Sequence, residues 1–209
     1  KAQDLDSYLK LEGNKREKPL LNRATREFYV PGSTFKTFTM ISAFRAGKQN
    51  AVFPSYADGF KPVKGSRPIV DATQKLQPDG TVAGACDGGC QEKDITFAYK
   101  VSSNQYFAQL AIELGRERLR ETAMLMGIAA VDTPDDAVMA RFFPNIWNTS
   151  VPNIAGALAP SQSTIVTGNK ISLYDVGLEG MGQGYAGQMT PFQMASIASI
   201  PGNMEGKLM

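Results

Sequence analysis

Three stretches of the chain share one pattern: apolar side chains at helical spacing, closed by a glycine. In FKTFTMISAFRAG, Phe35, Phe38 and Ile41 follow one another in three-residue steps and Gly47 comes after the last turn. In QYFAQLAIELG, Phe107, Leu110, Ala111 and Leu114 share a face that stops at Gly115. In RERLRETAMLMG, Leu119, Ala123 and Met126 point inward and Gly127 ends the run. Glycine is favoured just past a helix end because it enters the left-handed region without a Cβ penalty. Each stripe reads as the buried face of a helix, so helices dominate and strands are few. A further helix is marked by its start, with Thr190 as N-cap, Pro191 at the first helical position and Gln193 placed to complete a capping box. Asp94 is another N-cap, ahead of ITFAYKV.

The remaining segments are less regular. Residues 1–30 are polar and charged, and KLEGNKREKP predicts an exposed loop. Residues 50–93, rich in Gly, Pro, Asp and Lys, predict short strands and loops. Residues 132–170 read as irregular, with several prolines. No linker divides the chain, so 1–209 is read as one domain. With 43% hydrophobic and 20% charged residues there is enough apolar material for a core, and a net charge of +2 excludes a strongly basic nucleic-acid binder. No run of roughly 18 apolar residues offers a membrane span. The chain opens on Lys1, without an initiator Met or a signal-like segment, which is read as a start inside a longer protein.

The chain contains no histidine. Ser-His-Asp and Cys-His catalysis and His-ligated metals are therefore excluded, and any acid–base chemistry falls to Lys, Asp, Glu or Tyr. No cofactor is implied. Cys86 and Cys90 in CDGGC are too few for a structural zinc and do not form a CxxC pair. Gly88 and Gly89 would let that short loop close, so a disulfide and two free thiols both stay open.

Two segments carry chemistry. In Pro31-Gly32-Ser33-Thr34-Phe35-Lys36, a helix starting near Ser33 would put the serine hydroxyl and the lysine amine one turn apart on one face. A neutral lysine can serve as base for a serine nucleophile, provided burial or positive potential keeps it neutral. The helix start also favours a developing oxyanion. In Ser102-Ser103-Asn104, between helical segments, a hydroxyl and an amide two residues apart can point the same way. Ser102 would pass a proton between Lys36 and a leaving amine, and Asn104 would hydrogen-bond a substrate amide or the lysine. Taken alone, each segment reads better as an ordinary cap or turn.

Taken together, NRATREFYVPGSTFK, VSSNQYFAQLAIELG and GQGYAGQMTPFQMA occur in the order found in penicillin-binding protein transpeptidases. The chain resembles that family from about Asn22 onward, and the PGSTFK and TPFQMA forms look more like its class B members. The resemblance implies an α+β, β-lactamase/transpeptidase-like fold, here mainly its helical part with a few short strands. It implies D,D-transpeptidation of peptidoglycan through an acyl-enzyme, with Ser33 acylated and Lys36 as base. Ser102 would complete the catalytic set, and Ser103 and Asn104 would bind substrate. The implied partners are peptidoglycan stem peptides, β-lactam antibiotics and other cell-wall synthesis proteins, with no nucleic acid. The implied setting is the extracytoplasmic face of a bacterial membrane, reached through an N-terminal anchor outside this sequence. The family's third motif, Lys-Thr-Gly or Lys-Ser-Gly, does not occur here. The expectation is that it lies on a strand beyond Met209, that most of the central sheet is absent, and that 1–209 alone acylates slowly.

A serine β-lactamase or a penicillin-sensing domain would carry the same residues. Glu113, Glu117 and Glu121 do not begin the Glu-x-x-Leu-Asn pattern of class A β-lactamases. Gly182, Gly184 and Gly187 satisfy GxGxxG, which makes nucleotide binding a remote alternative. The helix start at Thr190 lies after those glycines, where it would not hold a pyrophosphate. Trp147, Phe142 and Phe143 read as core or groove lining, and the Asn148-Thr149-Ser150 sequon as chance.

Overall fold

Helix α5 (Asn104–Leu125) is the centre of the molecule, because every residue from Asn104 to Ala111 is buried. A helical stretch buried on all sides, with Asn104, Gln105 and Gln109 among its buried residues, must be surrounded by other elements. The computed structural model that shows this describes residues 2–142, 163–184 and 187–203. In chain order come α1 (Ala2–Gly13), α2 (Arg23–Arg26), a 3₁₀ turn (Gly32–Phe35) and α3 (Lys36–Arg45). Strand β1 (Phe53–Pro54) pairs antiparallel with β4 (Glu92–Lys93), and β2 (Lys75–Leu76) with β3 (Val82–Ala83). Then follow α4 (Ile95–Lys100), α5, β5 (Ala129–Val131), α6 (Pro134–Phe142) and β6 (Thr164–Val166), with β5 and β6 parallel. Helices α7 (Leu173–Gly180) and α8 (Pro191–Ser199) complete the described chain.

Helices α3 and α7 pack on α5. The core joins Phe35 and Phe38 from the 3₁₀ turn and α3 to Tyr106, Phe107, Leu110 and Ala111 of α5, and to Val176 and Met181. Phe35 and Phe38 stack with centroids 4.5 Å apart. Helix α7 comes close because it presents glycine where α5 presents alanine: a Cβ at Gly180 would lie 2.1 Å from that of Ala111. Its start carries a full capping box, Ser172 with Asp175, and the two glycines inside LYDVGLEG hide the helix from its sequence pattern. A smaller cluster, Ala129, Val131, Ala137, Ala140 and Val166, packs α6 onto β5 and β6.

Several expectations need correction. The polar N-terminus contains α1, and Lys10 to Gly13 of the expected loop form its last turn. Leu5, Tyr8 and Leu9 recur at helical spacing but lie exposed, so the apolar stripe is not a core signal here. Residues 132–170 include α6 and β6: Thr133 and Asp136 exchange capping hydrogen bonds, and Pro134 fits the first turn. Thr190 caps α8 by accepting from the Gln193 N–H at 3.2 Å, but the Gln193 side chain donates to the Met126 carbonyl instead of closing the box. The glycine stops agree with the structure. Gly47 and Gly127 have φ of 68° and 71°, and Gly115 (φ 75°, ψ 166°) breaks α5 where two helices meet. Cys86 and Cys90 form a disulfide. Phe143, Trp147, the Asn148 sequon and the side chain of Phe142 lie outside the described residues.

Candidate active site

The nucleophile candidate sits on a 3₁₀ turn, and α3 begins only at Lys36. That tighter turn eclipses residues i and i+3, which brings the pair closer in line than the expected α-helix would. Ser33 is exposed, while Lys36 is only 1% exposed. The Lys36 amine lies 3.1 Å from Ser33 Oγ. Pro31 and Gly32 shape the entry, with Thr34 Oγ1 donating to the Pro31 carbonyl at 2.6 Å. Gly32 (φ 60°) donates to the Gly182 carbonyl at 2.8 Å. Gly182 (φ 85°) lies so near that a Cβ there would fall 1.9 Å from the Gly32 carbonyl oxygen. The glycine-rich segment thus braces the nucleophile turn. Gly184 packs closely on Glu179, where a Cβ would lie 2.4 Å from its Cγ, Gly187 sits near the same side chain, and α8 starts beyond all three glycines. With the helix start beyond them, the glycines have no helix N-terminus to hold a pyrophosphate, which counts against the nucleotide alternative.

Across the site, α5 and the turn before it supply the other groups. Lys36 Nζ donates to the Ser102 carbonyl at 2.5 Å and to Asn104 Oδ1 at 2.7 Å, and lies 3.0 Å from Ser102 Oγ. Ser102 adopts φ 57°, a left-handed conformation that costs a serine about 1–3 kcal/mol. The surrounding contacts hold it there and turn its carbonyl onto the lysine. Asn104 Nδ2 donates to the Val70 carbonyl at 3.0 Å, which fixes the amide with its oxygen toward Lys36. The Phe107 ring lies 5.9 Å from Nζ.

The two shortest contacts of Lys36 are to oxygens that carry no hydrogen. A neutral amine has two N–H groups and one lone pair. Its N–H groups fit the Ser102 carbonyl and the Asn104 amide oxygen, which leaves the lone pair facing the two hydroxyls. Burial lowers Lys36 from the usual 10.5 to about 8, and the charges of Asp71 and Asp87 act the other way. A free base is therefore accessible near neutral pH.

Ser33, Lys36, Ser102 and Asn104 are thus brought together, but Ser103 is not. Its side chain is fully buried, donates to the Asp71 carboxylate at 3.1 Å and accepts from the Tyr106 N–H at 3.3 Å. Ser103 caps α5 and does not face a substrate, which corrects its assignment to substrate binding. Of the glutamates weighed for a β-lactamase, Glu113 pairs with Lys48 at 2.7 Å and Glu121 with Arg118 at 3.1 Å, both on the surface. Among the described residues no cluster of His, Cys, Asp or Glu could hold a metal, and no helix is long and apolar enough to cross a membrane.

Sequence reasoning missed Glu179, a 5% exposed carboxylate behind the nucleophile turn. It accepts from the Val166 N–H at 3.1 Å, and burial raises it from 4.5 to about 8. Between those values the folded chain holds a proton that the unfolded chain releases, so its contribution to stability is full below 4.5 and is lost as pH rises through about 8. Glu179→Gln should accordingly gain stability over the wild type as pH rises from 5 to 8, by a few kcal/mol, since each tenfold change in proton affinity is worth about 1.36 kcal/mol. Thermal melts across that range check this, and a constant gap between the two proteins would refute it.

The penicillin-binding protein transpeptidase domain family model matches residues 6–208. The peptidoglycan D,D-transpeptidase PbpA of Mycolicibacterium smegmatis is 29% identical over 202 residues, covering 97% of this chain and 34% of that protein. The protein of that name from Mycobacterium tuberculosis is 32% identical over 129 residues, covering 62% of this chain and 24% of that protein. The chain thus spans well under half the length of these relatives. Penicillin-binding protein A from M. tuberculosis, solved as its penicillin G acyl-enzyme, superposes with a TM-score of 0.61 at 25% identity over 94% of this chain and 37% of that one. Pseudomonas aeruginosa PBP2 shares the fold, with a TM-score of 0.58 at 19% identity over 93% of this chain and 37% of that one. The architecture is therefore the expected α+β transpeptidase fold, rich in helix among the described residues. Since the family match takes in every element from α2 to α8, the chain belongs to the penicillin-binding protein transpeptidase domain family.

Proposed function

We propose that this chain carries the acyl-transfer centre of a class B peptidoglycan D,D-transpeptidase, which β-lactams trap covalently. The observation that carries the reading is the position of the Lys36 amine, within 3.1 Å of Ser33 Oγ and within 3.0 Å of Ser102 Oγ at a buried point. Neutral Lys36 takes the Ser33 proton as Oγ attacks the acyl carbon of a D-Ala-D-Ala stem peptide or a β-lactam. The new Oγ–C bond forms and the C–N bond breaks. Lys36 returns the proton through Ser102 to the leaving nitrogen. Asn104 orients the lysine and offers its amide to the substrate. A second stem-peptide amine then attacks the ester, its new N–C bond replaces the C–Oγ bond, and the proton it loses passes through Lys36 to Ser33 Oγ.

The names of the PbpA relatives support the substrate class. The Cys86–Cys90 disulfide supports a site of action outside the cytoplasm, where disulfides persist. On this reading the domain works at the outer face of a bacterial membrane, held by an anchor, alongside other cell-wall synthesis proteins in division or cell shape.

A β-lactamase with the same nucleophile would hydrolyse its acyl-enzyme. The test is intact mass of the full-length protein after benzylpenicillin is removed. The transpeptidase reading expects the adduct to persist for many minutes. Its loss within seconds would favour the lactamase.

A further inference from the structure

We propose that Asp71 is a positioning residue for acylation: seated against the disulfide loop, its carboxylate holds the Ser102–Asn104 turn in place around Lys36. This rests on the reading of Ser33 as the acylated nucleophile.

Asp71 is 1% exposed and lies on a segment remote in sequence from both catalytic stretches. One of its oxygens accepts from the Gln105 N–H at 2.9 Å and from Ser103 Oγ at 3.1 Å. The preceding Val70 carbonyl takes Asn104 Nδ2. Two neighbouring residues thus grip three consecutive ones, Ser103, Asn104 and Gln105. Asn104 is pinned between them with its oxygen toward Lys36, and Ser102, the residue before Ser103, is held in its left-handed conformation. The grip is directional as well as electrostatic, because the carboxylate takes the Gln105 N–H, one of the orphan donors in the first turn of α5.

Asp71 is itself held from behind. Its second oxygen accepts from the Asp87 N–H at 3.1 Å. Asp87 stands inside the Cys86–Cys90 ring, and its own carboxylate takes the Ala72 and Thr73 N–H groups at 3.0 and 3.1 Å. Buried Lys93 donates to the Gly89 carbonyl of the same ring at 2.8 Å and to Ser55. The disulfide ring, Asp71 and the catalytic turn therefore form one continuous hydrogen-bonded chain.

Every hydrogen-bonding group described on the Asp71 carboxylate is a donor. Asparagine has the same size but would turn its own N–H₂ toward one of them. Its neutrality would also remove one of the two negative charges that hold the Lys36 proton, the other being Asp87. Lys93 feels the same two carboxylates, and the Tyr99 hydroxyl sits 2.8 Å from Thr37 Oγ1 beside Lys36.

The experiment measures the benzylpenicillin acylation rate of the full-length protein from pH 6 to 10. Asp71→Asn should lower the high-pH plateau by about a hundredfold, the cost of misplacing a reacting group by an ångström or so. It should also move the rising limb to lower pH, because Lys36 loses its proton more readily without the charge. A purely structural role would leave that limb in place. A folded Asp71→Asn protein with a plateau within about threefold of wild type, or with an unmoved limb, would overturn the proposal. If that variant does not fold, Ser103→Ala decides, since it keeps the carboxylate and removes one donor. A plateau lower by about tenfold supports positioning, and an unchanged one overturns it. A wild-type protein that takes no label at all would instead strike the reading of Ser33.

Discussion

Lys36→Arg should leave the protein folded and charged but cut its acylation by benzylpenicillin about 10²–10⁴-fold, the range that a positioned general base contributes. The loss follows from protonation, since Arg stays protonated at any working pH and has no lone pair to accept the Ser33 proton. Its planar fork also cannot reproduce the convergence at Nζ, where two hydrogen-free oxygens and two hydroxyls lie within 3.1 Å. The pH dependence provides a second, independent sign. In the wild type Lys36 loses its proton near pH 8, so the rate should rise with pH through that value and level off above it. In Lys36→Arg the rate should stay low and show no such limb. Stopped-flow or fluorescent-penicillin labelling from pH 6 to 10, with a thermal melt to confirm folding, checks both. Near-normal acylation in the variant would reduce Lys36 to an electrostatic or structural role.

The half of the site that could be read from the sequence is the half built from local spacing. Ser33 and Lys36 are three residues apart, and any helical turn brings them together. Ser102 and Asn104 share one turn, and the glycine stops at Gly47, Gly115 and Gly127 follow from local backbone preference. What stayed hidden depends on contacts between distant segments. Asp71 lies more than thirty residues from Ser103, and nothing around it in PIVDATQ marks a carboxylate with catalytic neighbours. Ser103 sits in the same motif as Ser102 and Asn104, yet a helix start turns it the opposite way, into the core. Gly182 looked like part of a ligand loop, although its need for glycine comes from the Gly32 carbonyl. Cys86 and Cys90 were open between thiols and a bond, because four-residue spacing allows the bond without requiring it. The fold failed to show locally where helices lack an apolar face toward the core, as in α1, or carry glycines for close packing, as in α7.

The central claim is that Ser33 is the residue acylated. Its hydroxyl is the one exposed to an incoming carbonyl, whereas Ser103 is buried and Ser102 lies partly covered beside the lysine. The 3₁₀ turn puts it in line with Lys36, and Gly32 and Gly182 keep that turn rigid. The direct measurement is intact-mass spectrometry of the full-length protein with benzylpenicillin at pH 8, followed by peptide mapping. One penicilloyl adduct is expected, on the peptide containing Ser33, and none in Ser33→Ala. An adduct that persists in Ser33→Ala, or maps to Ser102, would contradict the assignment.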